Sequence, residues 1–195
     1  MNLVTVHKIT QTAYPCSYIR WDEEGSSVSC ELKYSIPPVN EECNRTLREK
    51  IDQQFNIKPQ NYLITGGMFS MALDSQKRVK DWDIYTNPAQ WTEYTLPYAE
   101  TLPATLIIEA EFDKNGHTED IGEPEIYYEP QRGTLYLIWD DVSVWYAIAP
   151  CLAIGVTKRN HLAQIRLDGL FVSRIMKETT GRCARLLRRF GIGRR

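Results

Sequence analysis

A chain of 195 residues with 23 basic and 25 acidic side chains is long enough for one large domain or two small ones. Its apolar, aromatic and charged fractions are ordinary for a soluble globular protein. The longest apolar run, 145–156, has 12 residues and contains Pro150, too short for a helical membrane span of about 20.

The opening residues, MNLVTVHKITQ, lack the basic, apolar and small-residue regions of a secretory signal. A cytoplasmic location is the expectation. Residues 3–9 alternate and predict a first strand. Residues 17–21 and 28–34 then predict a hairpin across Asp22-Glu23-Glu24-Gly25. Pro37-Pro38 stops it, and Asn40 can cap a helix whose first turn holds Glu41 and Glu42, where negative charge suits the helix dipole. Cys43, Leu47, Ile51 and Phe55 recur every four residues, which predicts one helix near 40–56.

Period two returns at 62–65, 68–73 and 79–85, with turns at Gly66-Gly67 and 74–78. A short strand is expected within 90–96. Residues 105–112 give the most regular alternation, with Leu106, Ile108, Ala110 and Phe112 set against Thr105, Ile107, Glu109 and Glu111. Four further strands follow at 125–129, 134–139, 142–149 and 152–156, and a fifth at 161–167, in which Leu162, Gln164 and Arg166 oppose Ala163, Ile165 and Leu167. Pro150 cannot donate to a ladder and should break or bulge the chain. Short turns between these runs point to an antiparallel meander.

The residues 67–74 and 133–140 both run from glycine to aspartate across a strand. Two similar hairpin strands account for that without a duplication.

The five cysteines, Cys16, Cys30, Cys43, Cys151 and Cys183, show no CxxC and no zinc-finger spacing. Reduced thiols buried as small hydrophobes are expected. Cys16 and Cys30 flank the first hairpin, so a disulfide between them is a second possibility that register would decide. Asn44-Arg45-Thr46 matches a glycosylation sequon, which the expected compartment makes a chance match.

The chain has no GxSxG, no GxxxxGK[ST], no GxGxxG after a strand and no HExxH. His7, His117 and His161 are far apart in sequence. The loop 113–120 offers carboxylates and a glycine to calcium, but its glycine falls at the fourth position and Pro124 stands at the twelfth, against the EF-hand template. Asp140-Asp141 and Glu109/Glu111 are the other carboxylate pairs. The first alternates across a strand and the second shares a solvent face. No catalytic residue, cofactor or metal is assigned. Five tryptophans and eleven tyrosines are expected chiefly in the core and at interfaces.

The net charge of −2 hides an asymmetry. Residues 158–195 carry eleven basic and two acidic side chains, a net of +9, which leaves −11 on residues 1–157. Within the last stretch, Ile175, Met176, Thr179, Cys183, Leu186, Leu187 and Phe190 fall at three- and four-residue spacings, with Arg182, Arg185, Arg188 and Arg189 between them. A basic amphipathic C-terminal helix is expected.

The expected fold is α+β, predominantly antiparallel β as a meander, sandwich or open barrel, with the helix near 40–56 and the C-terminal helix. Residues 1–172 form the acidic domain and 173–195 the basic tail. The preferred function is a non-enzymatic macromolecule-binding or adaptor protein of inhibitor or immunity type. Its sheet would take a protein partner, and Arg182, Arg185, Arg188, Arg189, Arg194 and Arg195 an anionic one. The alternatives are nucleic-acid binding through that tail and a ligand carrier or enzyme built on the meander. Homo-oligomerisation is open.

Overall fold

A computed structural model describes residues 4–9, 13–34, 61–97, 99–118 and 120–172. The helices expected near 40–56 and in the C-terminal tail lie outside the described residues. Those that are described form predominantly antiparallel β structure in three sheets.

The first part of the chain supplies β1 (Thr5–Ile9), β2 (Cys16–Asp22), β3 (Ser27–Lys33), β4 (Tyr62–Gly66), β5 (Phe69–Leu73) and β6 (Val79–Tyr85). Strands β2 to β6 make a five-stranded sheet ordered β2-β3-β6-β5-β4. After a single 3-10 turn at Pro88–Gln90 come β7 (Thr92–Glu93), β8 (Leu102–Pro103), β9 (Thr105–Glu109), β10 (Glu125–Glu129), β11 (Thr134–Ile138), β12 (Val144–Ala149), β13 (Leu152–Val156) and β14 (Leu162–Leu167). The antiparallel strands expected in the second half are present in a seven-stranded sheet, β7-β10-β11-β14-β13-β12-β8, but not as a simple meander: the hairpin β10–β11 pairs with β14, so β12–β14 runs back towards it. At Pro150 the chain turns, and the β12–β13 register shifts between Ala147 and Ala149.

The inner faces of both large sheets contribute to one core. Val28, Cys30, Leu32, Met71 and Trp82 come from the first, and Leu135, Leu137, Ile154, Ile165 and Leu167 from the second. Aromatic contacts bridge them. Trp21 meets Trp91 at 5.8 Å and Trp91 meets Tyr128 at 5.1 Å, whereas Phe69 meets Trp139 edge-on at 5.1 Å. The Tyr128 hydroxyl donates to the Leu170 carbonyl at 2.8 Å, so the buried phenol is satisfied.

The third sheet, β1 with β9, ties the other two together through the backbone. Val6 N–H donates to Asn160 O at 2.7 Å and Leu162 N–H to Val4 O at 2.8 Å, on the β13–β14 side. Ile108 N–H donates to Lys77 O at 2.9 Å, in the β5–β6 turn. The strand expected to run to Phe112 ends at Glu109, because Phe112 pairs instead with Thr118 across its own short loop.

Two elements depart more instructively from expectation. The strand expected within 90–96 shrinks to Thr92–Glu93, and an unexpected one appears at Leu102–Pro103. These lie on opposite edges of the seven-stranded sheet, each in parallel pairing with its neighbour. Residues 94–101 therefore cross the whole sheet. Nine residue steps reach about 30 Å, and six strand spacings span about 29 Å. This strap has the reach to make that crossing. It runs over the outer face, where the Arg166 guanidinium donates to Ala99 O at 3.3 Å. Arg166 on that face is buried, with the Ala99 carbonyl of the strap against its guanidinium.

Gly66 shows how closely the loop after β9 approaches β4. A Cβ there would collide with the Gly122 carbonyl oxygen and lie 2.8 Å from the Ile121 side chain. Gly66→Ala is expected to destabilise the fold by about 1–3 kcal/mol through overpacking, read as a lowered urea midpoint.

Candidate functional site

The outer face of the five-stranded sheet presents polar side chains in rows set by register. One row runs Tyr18, Glu31, Asp81, Ala72 and Leu63 across all five strands. The next runs Arg20, Ser29, Asp83, Ser70 and Thr65. Asp22, Ser27 and Tyr85 continue the face. Alternation explains the arrangement: Ile19, Val28, Cys30, Met71, Trp82 and Ile84 point to the core, so their neighbours point out.

This face holds four carboxylates, Asp22, Glu31, Asp81 and Asp83, against Arg20 and Lys33, with the exposed Lys80 acting on Asp81 as well. Glu31 stands directly opposite Asp81, a like-charge cross-strand pair that disfavours the sheet. The Asp81 carboxyl is pushed above its ordinary value by partial burial first, and by the charges of Asp83 and Glu31, with Lys80 opposing. Asp83 accepts a hydrogen bond from the Ser70 hydroxyl at 2.5 Å. Lys33 lies 3.5 Å from Glu31 and 4.7 Å from the centre of the Tyr18 ring. Tyr18 and Tyr85 are exposed by 54% and 55%, and Met68 lies exposed next to Tyr85, whose N–H donates to Met68 O. The result is an acidic face with phenolic rings at its margins. Basic side chains arriving there find paired carboxylates and planar contact area.

A second polar cluster is closed off beneath the strap. Arg166 donates to Asp168 at 3.2 Å, lies over the Trp145 ring at 5.5 Å and is 3% exposed. Thr134 donates to the other Asp168 oxygen at 3.0 Å. Glu129, also 3% exposed, faces Arg132 at 3.7 Å. Arg166 and Asp168 offset one another, whereas the buried Glu129 Oε2 has an opposite charge at 3.7 Å but no hydrogen bond among the described residues. Arg166 had been counted with the basic end, but its charge is spent internally on Asp168, and the +9 of residues 158–195 is carried by the other side chains.

The remaining sequence candidates disperse. Asp113 turns its carboxylate to the backbone N–H groups of Asn115 and His117 at 2.8 and 2.9 Å, bonds that lower its pKa, the one from His117 most. Asp120 accepts from Gly122 and Gly67. The acidic loop thus uses these oxygens to shape itself and reach the β4–β5 turn. Asp140 accepts from the Asp141 N–H at 2.7 Å on an exposed turn, and Glu109 faces Lys77 at 3.4 Å. A Cys16–Cys30 disulfide is excluded by register. Cys30 opposes Ile19 and is buried, whereas Cys16 opposes Lys33 on the outer face. Arg182, Arg185, Arg188, Arg189, Arg194 and Arg195 lie outside the described residues. Among the described residues no group of three or more His, Cys, Asp or Glu side chains is placed to hold a metal, and no helix is long and apolar enough to cross a membrane.

Comparison with known proteins adds no assignment: no family model matches the chain, and neither does any curated protein.

Asp81 gives the face a pH signature. Its raised pKa means that its contribution to stability is present below the ordinary carboxylate value and is lost as pH rises through the folded-state value. Asp81→Asn is expected to raise the thermal midpoint at pH 7, and the gain should shrink towards zero near pH 3. A loss of stability at pH 7 would contradict the electrostatic description.

Proposed function

We propose that this protein is a non-enzymatic binding module of adaptor or inhibitor type, and that the outer face of the five-stranded sheet receives a protein partner presenting basic side chains. The observation that carries this reading is the crowding of Glu31, Asp81 and Asp83 on one face. Charges held together at a cost to the fold are a mark of sites kept for contact. Exposed Tyr18 and Tyr85 add the kind of rigid aromatic area that dominates many protein interfaces. A basic partner would relieve the repulsion on binding, so the face gains in the complex what it loses in the free chain.

The second reading is nucleic-acid binding through Arg182, Arg185, Arg188, Arg189, Arg194 and Arg195. Its support is the net charge of +9 over residues 158–195, and arginine suits phosphate contact. A cytoplasmic setting is part of the first proposal and is compatible with the second.

Capture from native extract separates the two. The wild-type chain, a Tyr18→Ser/Glu31→Lys variant and a chain lacking residues 182–195 are compared at low and high salt, with captured protein and nucleic acid identified. The proposal expects a protein whose binding, remeasured with purified components, weakens at least tenfold in the face variant and survives tail deletion. Retention by the face variant at full affinity rejects it. Nucleic acid that is lost with the tail, with a steep salt dependence, supports the second reading.

A further inference from the structure

Three of the four outer edges of the two large sheets are closed by the chain itself. The seven-stranded sheet ends on β7 and β8, strands of only two residues. The loop after β9 covers the outer edge of β4: Leu63 N–H donates to Gly116 O at 2.8 Å, Thr118 N–H to Leu63 O at 2.9 Å and Ile121 N–H to Thr65 O at 2.8 Å. The fourth edge, β2, differs. Among the described residues it pairs with β3 on one side and with no strand or loop on the other. Such an edge offers a row of backbone donors and acceptors to another strand.

β2 also lacks the proline, bulge or brevity that blunts an edge strand. It has seven residues in unbroken register with β3 from Cys16 to Asp22. On its inner face Ile19 and Trp21 pack against the core but are only half-buried, whereas Cys30 and Val28 opposite them on β3 are fully buried. The core therefore reaches β2 with apolar area still showing, which one further strand would cover.

The sequence of β2 is complementary to its own reverse. In an antiparallel pairing of two copies about Ile19, Tyr18 stands opposite the second copy's Arg20, and Arg20 opposite its Tyr18, so a long cationic side chain lies beside an aromatic ring at both places. On the inner face Ile19 meets Ile19 and Ser17 meets Trp21. Other registers fit worse. A slip of one residue turns one copy's inner face outward. Centring on Arg20 opposes two arginines, and centring on Tyr18 brings Pro15, which has no N–H, into the ladder against Trp21. Pro15 and the turn after Asp22 bound β2 symmetrically about Ile19.

We propose that the outer edge of β2 joins a second copy of this chain, β2 against β2 about a two-fold axis at Ile19, so that the two five-stranded sheets continue one into the other. The faces bearing Glu31, Asp81 and Asp83 then lie on the same side of the joined sheet. The association does not depend on what those faces bind.

A seven-residue ladder is small beside a standard interface of about 1,600 Å², so sedimentation equilibrium of the full chain should run from micromolar to about 1 mM. The expected result is reversible monomer–dimer association, with amide exchange in β2 slowing as chain concentration rises. Tyr18→Lys sets basic side chains opposite one another twice and should weaken association about fivefold or more. Arg20→Glu added to it restores opposite charges and should return association to near the wild-type value. The wild-type mass and exchange do not depend on any variant folding. A chain that stays monomeric to about 1 mM overturns the proposal, as does a dimer in which β2 exchange is independent of concentration, or one that Tyr18→Lys leaves unchanged.

Discussion

The strap closure over Arg166 is the constraint on which the arrangement of the whole molecule depends. β14 is the middle strand of seven, and its inner face is committed to the core through Ile165 and Leu167. A guanidinium on its other face cannot be covered by apolar packing alone. Residues 94–101 supply a carbonyl, Asp168 a counter-charge and Trp145 an aromatic face, and together they make burial of Arg166 tolerable. The two-residue strands that anchor the strap also finish the sheet edges, which discourages pairing with other chains. Among the described residues, the outer face of the five-stranded sheet keeps Tyr18, Glu31 and Tyr85 exposed.

That division gives the charges two different regimes. Beneath the strap every described ionic group has an opposite charge within 4 Å or a hydrogen bond to it. On the five-stranded sheet Glu31 and Asp81 face one another instead. Such a pair costs well under the contribution of the shared core, in which a side chain such as Trp82 or Leu137 is worth several kcal/mol if truncated. A large core lets a surface keep an arrangement that is unfavourable locally.

Much of the strand inventory was legible because period two and turn residues are local. The hairpins around Gly25, Gly67 and Gly133 and the break at Pro150 all stand where the residues place them. The strap was not legible, since Pro97 and Pro103 read only as interruptions, and its role comes from β7 and β8 occupying opposite edges. The burial of Arg166 was not legible for the same reason: alternation reports which residues share a face, not what covers it. Tyr18, Glu31 and Asp81 fall in three separate strand runs of the sequence. Their adjacency depends on β6 returning beside β3 after β4 and β5, which no local pattern encodes.

The most direct measurement of the central claim, that the open sheet stores like charge for a basic partner, is an NMR titration of side-chain carboxyl carbons in the free chain. The account predicts Asp81 titrating clearly above its ordinary value of 3.8, with its curve broadened by coupling to Glu31 and Asp83. Addition of a binding partner should move it back down. Asp81 titrating at or below its ordinary value in the free chain would contradict the account.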